Sequence, residues 1–163
     1  MQITTPFLRA LVVGLAILTG GCGQAPPPAA QPAQPLEESF REFGNYEIHF
    51  NALRTDTLTP QIASSYGIQR SRSRVMLNVT ILRKQADHAP RTPVEAEVQV
   101  DAYNLNGQLK NLQMRRVSEG EAVYYIGEVS ISGNEILVFD ISAMPAGETT
   151  PLTVKFKREF YST

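Results

Sequence analysis

From Tyr46 to the end of the chain, apolar residues recur at every second position rather than every third or fourth. Tyr46, Ile48 and Phe50 alternate with Glu47 and His49, and Val75, Leu77, Val79 and Ile81 alternate with Met76, Asn78 and Thr80. The cleanest run sets Val94, Ala96, Val98, Val100 and Ala102 against Glu95, Glu97, Gln99 and Asp101. Successive side chains of a strand point to opposite faces, so this period predicts half-buried β-strands, each with a dry and a wet side. Similar runs over Leu109–Val117, Ala122–Ser130, Ile136–Ser142 and Leu152–Tyr161 bring the predicted strands to seven. Turn residues separate them: Asn106-Gly107, Glu119-Gly120, Ser132-Gly133-Asn134 and Pro145-Ala146-Gly147.

The pattern also constrains pairing. A two-residue turn at Asn106-Gly107 would set Val100 and Val98 opposite Gln113 and Arg115. A shift of one residue instead sets Val100 opposite Met114, Ala102 opposite Leu112 and Gln99 opposite Arg115. A three-residue loop or a bulge is therefore predicted here. Between the first two strands lies one helical signal, with Thr59 as N-cap, Pro60 in the first turn, Ile62, Ala63 and Tyr66 on one face, and Gly67 as the stop.

Seven short strands with one small helix predict an all-β fold, an antiparallel immunoglobulin-like β-sandwich, with an up-and-down barrel as the alternative. Tyr124 stands where a tyrosine corner would sit in such a sandwich, with Ile126 in place of the cysteine.

The first 36 residues carry a different pattern. Arg9 precedes the apolar run Leu11–Leu18, which would span about 12 Å as a helix against about 30 Å of hydrocarbon. A run that short reads as a targeting segment rather than a membrane span. Thr19-Gly20-Gly21-Cys22 resembles the lipobox of bacterial lipoprotein precursors, which implies diacylglycerol transfer to Cys22, cleavage before it and stable anchoring by two or three acyl chains. In such lipoproteins Asp after the cysteine retains the protein at the inner membrane, so Gly23 points to the outer one. Gly23–Leu36 holds five prolines, four alanines and three glutamines without a charge, a composition that cannot bury a core. As polyproline II those fourteen residues reach about 40 Å. The expected organisation is a signal peptide over 1–21, a lipidated Cys22 with a Pro-rich linker over 22–36, and a folded domain over 37–163.

Composition narrows the function. The chain has 15 Lys+Arg against 16 Asp+Glu, a net charge of −1, so it lacks the basic footprint of a nucleic-acid binder. A single Cys excludes an internal disulfide and any multi-Cys zinc site. Neither a Gly-x-Ser-x-Gly elbow nor a phosphate-binding Gly-rich loop is present. His49 lies on the wet side of the first strand, and His88 follows Asp87 in a loop. Adjacent side chains rarely converge, so Asp87-His88 reads as loop rather than as a general base. Met76, Met114 and Met144 are spread along the chain and read as packing residues rather than a soft copper site. Glu95, Glu97 and Asp101 read as a solvated strand face balanced by Arg115 and Arg116.

Arg70-Ser71-Arg72-Ser73-Arg74 is the one basic run. It reads either as an edge strand guarded by charge or as a surface for phosphate or carboxylate groups. The expected contact site comprises Tyr66, Arg70, Arg72 and His49, with no catalytic residues, no metal ligands and no cofactor.

Leu58-Thr59-Pro60 with Ala63, Tyr66-Gly67-Ile68 and Arg70-Ser71 form a combination that resembles bacterial domain-of-unknown-function family 4426. So do Glu119-Gly120 with Ala122, Tyr124, Tyr125 and Ile126, and Lys155-Phe156 with Phe160-Tyr161; His49 and Asn51 fit the family's opening strand. The resemblance spans most of Phe40–Tyr161 and implies an exported, mainly β domain without assigned site residues. The expectation is a lipid-anchored, periplasm-facing binding or structural accessory module. It would meet the membrane through its acyl chains and an envelope protein or glycan through its domain, and would bind no nucleic acid. The alternatives are a lipid or glycan carrier gated by the short helix, and a hydrolase or metal-dependent enzyme.

Overall fold

The computed structural model describes residues 38–86 and 89–161. Leu36–Thr163 is one compact unit, and the expected signal peptide, Cys22 and linker lie outside the described residues. Among the described residues ten strands appear: β1 (Phe40–Phe43), β2 (Tyr46–Arg54), β3 (Arg74–Arg83), β4 (Thr92–Pro93), β5 (Ala96–Asn104), β6 (Leu109–Lys110), β7 (Arg115–Glu119), β8 (Ala122–Ser130), β9 (Glu135–Pro145) and β10 (Leu152–Phe160). One sheet runs β1-β2-β3-β8-β7 with β4 paired to the end of β3; the other runs β10-β9-β5-β6. Every pairing is antiparallel, and the two sheets face each other as the expected sandwich.

The alternation explains the core. Ile48, Phe50, Val75, Leu77, Val79 and Ile81 of the larger sheet are buried, as are Leu137, Phe139, Ile141 and Val154 of the smaller. Phe156 bridges the layers, its ring centroid 4.6 Å from that of Phe50 and 5.0 Å from that of Phe139. Such contacts add to simple burial because the ring edges and faces carry opposite partial charge. Tyr125, rather than Tyr124, ties one sheet to the other: it turns inward and its phenol oxygen accepts the Ala96 N–H at 2.7 Å. Tyr124 lies on the opposite face of β8, beside Tyr66.

The helix forms where its caps place it. α1 (Pro60–Ser65) starts at Thr59, whose hydroxyl accepts the Ile62 N–H, and ends where Gly67 takes φ +62°. The Ile68 N–H reaches the Ala63 carbonyl at 2.8 Å and the Gly67 N–H reaches Ser64 at 3.1 Å, a Schellman closure. Ala63 and Ile68 then pack with Met76 and Ile126 in a second small apolar cluster. Met76 and Ile126 alternate with the core residues of β3 and β8, so α1 covers the outer face of the larger sheet.

The hairpin after β5 corrects the expected register. Leu105-Asn106-Gly107 does form a three-residue loop, closed by Asn104 N–H to Gln108 O at 3.1 Å and Gly107 N–H to Asn104 O at 2.9 Å. The slip runs the other way, however, with Ala102 opposite Lys110 and Tyr103 opposite Leu109. After Lys110 the chain leaves this sheet, and Arg115 pairs with Ile126 in the other one instead of facing Gln99. The predicted strand Leu109–Val117 is thus two strands joined by a crossing. Leu112 and Met114 gain burial from it, packing against the main core in mid-crossing. Gly127 makes the room: a Cβ there would stand 2.6 Å from both Leu112 Cδ1 and Met114 Sδ.

Candidate functional site

The expected contact residues share the outer face of the larger sheet but divide into two groups. On β2, Glu47, His49, Asn51 and Leu53 point away from the core, and Leu53 packs into the cluster under α1. At about 3.3 Å per residue, His49 sits roughly 13 Å along the strand from Leu53. His49 therefore does not join Tyr66 and the arginines.

The first group gathers where β2 ends in a single 3-10 turn, Thr55–Thr57. Thr55 is fully buried; its hydroxyl lies 2.9 Å from the Gln69 carbonyl and 3.1 Å from that of Ser71, and accepts the Ser71 N–H at 2.9 Å. This fastens the arginine run to the turn, so Arg70–Ser73 is a lashed loop rather than an edge strand, and Arg74 enters the interior strand β3. Three guanidiniums then meet Asp56. Arg54 grips its carboxylate with Nε at 3.0 Å and Nη2 at 3.2 Å, Arg70 donates to its backbone carbonyl at 2.8 Å, and Arg72 stands 3.9 Å from Oδ2. Arg54 also donates to the Tyr161 carbonyl, which fixes the chain's last strand beside this corner. Arg74 is spent on Glu128 at 3.6 Å.

Tyr66 is held against β7 on the same face of the sheet. Its hydroxyl donates to Glu119 Oε2 at 2.8 Å, and its carbonyl accepts from Arg115. The hydrogen bond to Glu119, aided by burial, raises the phenol above its ordinary value, so Tyr66 stays protonated and locks α1 to β7.

The second group is centred on Glu47, which the sequence pattern marked only as a wet position. It is 1% exposed, with Arg91 Nε 2.6 Å from one carboxylate oxygen and His49 Nε2 3.1 Å from the other. Phe40 stacks on the His49 ring at 5.5 Å. Burial alone would push this carboxyl up, but the bonds from His49 and Arg91 outweigh it and hold Glu47 below the usual carboxylate range. Nothing local signals this role, because Arg91 lies 44 positions away in the sequence.

Other candidates separate. Met76 lies under α1, Met114 in the crossing, and Met144 on the outer face of the smaller sheet. Of the acidic strand, Glu95 pairs with Arg116 at 2.5 Å, while Asp101 stands opposite Asp140, which Lys155 neutralises at 2.8 Å. Arg115 takes no part in that balance, since the crossing carries it to Tyr66. Asp87 and His88 lie outside the described residues. Among the described residues no three of His, Cys, Asp and Glu converge as metal ligands, and no helix is long and apolar enough to cross a membrane. Clefts of about 410 Å3, lined by Asn104, Ser132 and Glu135 among others, and about 400 Å3, beside Lys84 and Arg91, are open surface grooves. With α1 on the outside, the helix does not stand over the space between the sheets.

Comparison with known proteins places this geometry. Residues 40–163 match the family described as Domain of unknown function (DUF4426). A crystal structure of a DUF4426 family protein from Pseudomonas aeruginosa PAO1 is similar at 34% identity and TM-score 0.63, over 77% of this chain and 94% of that one. FetP of uropathogenic Escherichia coli strain F11, recombinantly expressed in the periplasm, shares the fold at 10% identity and TM-score 0.52, over 77% and 94%. A copper-bound variant of FetP gives TM-score 0.51 at 10% identity, over 74% and 93%. No curated protein matches.

Proposed function

The chain belongs to the DUF4426 family, and from that premise we propose that it is a lipid-anchored binding module of the bacterial cell envelope, held to the membrane through Cys22 and facing the periplasm. The outer membrane is the favoured site, since Gly23 rather than Asp follows the cysteine. The observation that carries the binding half is the corner at the end of β2, where a buried threonine fastens a loop that exposes arginines beside Asp56. A solvated charge cluster needs no such fastening, whereas a recognition surface gains affinity from being ordered in advance. The module acts by binding rather than by catalysis, because its clustered polar groups are engaged with each other: Glu47 with His49 and Arg91, Tyr66 with Glu119, Asp56 with Arg54. The Pro-rich linker supplies reach from the bilayer to an envelope protein or glycan.

The copper in the FetP variant belongs to that protein, and at 10% identity it lends this chain a fold and no ligand set. The carrier reading has less support, because α1 sits on an outer face rather than at the mouth of a chamber.

Labelled palmitate supplied to growing bacteria should enter the wild-type protein and fail to enter Cys22→Ser. Equal labelling of both forms, or of neither, would contradict the anchor.

A further inference from the structure

We infer that the corner built from Arg54, Arg70 and Arg72 is a binding site for a phosphoryl group, which deepens the binding reading by naming the chemistry its surface takes. Two guanidiniums face the Asp56 carboxylate and a third bonds its backbone carbonyl, leaving a local excess of about two positive charges in a chain whose net charge is only −1. A phosphomonoester carries close to two negative charges at neutral pH. The donors are also there to receive it. Each guanidinium has five N–H groups in a planar fork suited to phosphate oxygens. Arg70 spends one on the Asp56 carbonyl. Arg72 makes no hydrogen bond among the described residues; it is 69% exposed and has only the 3.9 Å contact to Asp56.

The scaffold explains why these side chains stay together against their mutual repulsion. Thr55 holds the carbonyls of Gln69 and Ser71, which leaves the intervening Arg70 and the following Arg72 to converge on Asp56. The Ser71 hydroxyl accepts the Ser73 N–H at 3.1 Å, and the Ser73 carbonyl accepts from Ile131, so the loop is tied at both ends. Asp56 serves as an internal stand-in for the ligand: it neutralises part of the charge and keeps the fork of Arg54 oriented. An incoming phosphate competes with this carboxylate for Arg72 and adds bonds to Arg70.

The direct test is a titration of the full chain carrying Cys22→Ser with inorganic phosphate at low ionic strength, where screening is weak. Removing the anchor in this way keeps the result independent of whether palmitate is attached. Saturable binding is expected, at least ten-fold weaker in Arg70→Gln/Arg72→Gln and several-fold tighter in Asp56→Asn, which deletes the competing charge. Arg72→Gln alone is a variant that breaks no hydrogen bond, and it should already weaken binding about three-fold while leaving the melting temperature in place. Vesicles of phosphatidic acid in phosphatidylcholine, against phosphatidylcholine alone, separate the sources. Arg72-dependent retention on the former assigns the site to a lipid headgroup, and phosphate binding without retention assigns it to a soluble phosphoryl ligand. Absence of saturable phosphate binding, or binding unchanged in both arginine variants, would overturn the proposal.

Discussion

Gly127→Val is expected to lower the stability of the domain by about 3 kcal/mol, a loss to be read from urea unfolding midpoints. The glycine is not there for its backbone, since its φ lies outside the left-handed region. At such a position Gly→Ala ordinarily stabilises by about 0.4–1 kcal/mol, through the unfolded state. Here the first added carbon would already stand 2.6 Å from Leu112 Cδ1 and Met114 Sδ, and 3.2 Å from the Gln113 carbonyl. The two side-chain ends can turn aside; the carbonyl moves only with the crossing strand. Valine adds two further methyls on the same side. The crossing itself is therefore what suffers, and Gly127→Ala should cost clearly less in a Met114→Ala background than in the wild type. An equal cost in both would mean that the contact between Gly127 and the crossing is not what sets the penalty.

Arg91→Ala is expected to cost about 2 kcal/mol at pH 7. Breaking a buried ion pair by removing one partner costs about 3–5 kcal/mol. Arg91 is itself 52% exposed, so water entering its place relieves part of that loss. In the wild type the Glu47 carboxyl lies below its unfolded value of about 4.3, so its contribution is present above that pH and lost as pH falls through the folded value. Without Arg91 the burial remains and one of the two stabilising partners does not, which drives the carboxyl upward and weakens its ionised form at neutral pH. The deficit of the variant should accordingly shrink as pH falls past the unfolded value toward the lower folded one of the wild type, where Glu47 takes up its proton in both proteins. Urea midpoints across pH 7, 5 and 3.5 measure it. A deficit that stays constant over that range would show that Arg91 acts through packing rather than through the buried charge.

Six of the seven alternating runs each fall on one strand, to within two residues at the ends, because each is half-buried on its own face, a property that residue order states directly; Leu109–Val117 is the exception. The short β1, with the sequence Phe-Arg-Glu-Phe, carries no dry stripe, since it pairs at the sheet edge through its backbone. β4 has two residues and no room for a period. The crossing left no trace in the alternation: Leu112 and Met114 are even-numbered and pack into the main core, and the odd-numbered Val117 faces the other way and packs under α1. The phase therefore runs unbroken from Met114 to Val117, which hides the exchange of one sheet for the other. The helix was legible because its caps are local, from Thr59 to Gly67. The functional corner was only half legible. Tyr66, Arg70 and Arg72 stood out as residues, but the Asp56 that the two arginines contact and the threonine beneath them belong to a turn with no distinctive composition. Glu47 was hidden for a similar reason, since its burial depends on an arginine from a distant loop.

The central claim is that this domain serves the envelope by binding through the helix-covered end of the larger sheet. Ile62 is 44% exposed on α1, and replacing it leaves every arginine in place. Lys157 lies on the outer face of the smaller sheet and supplies the control. A photoreactive amino acid at each position, irradiated in intact bacteria, should give a discrete adduct from position 62 and none from position 157. No adduct from position 62, or the same adducts from both, would contradict the account.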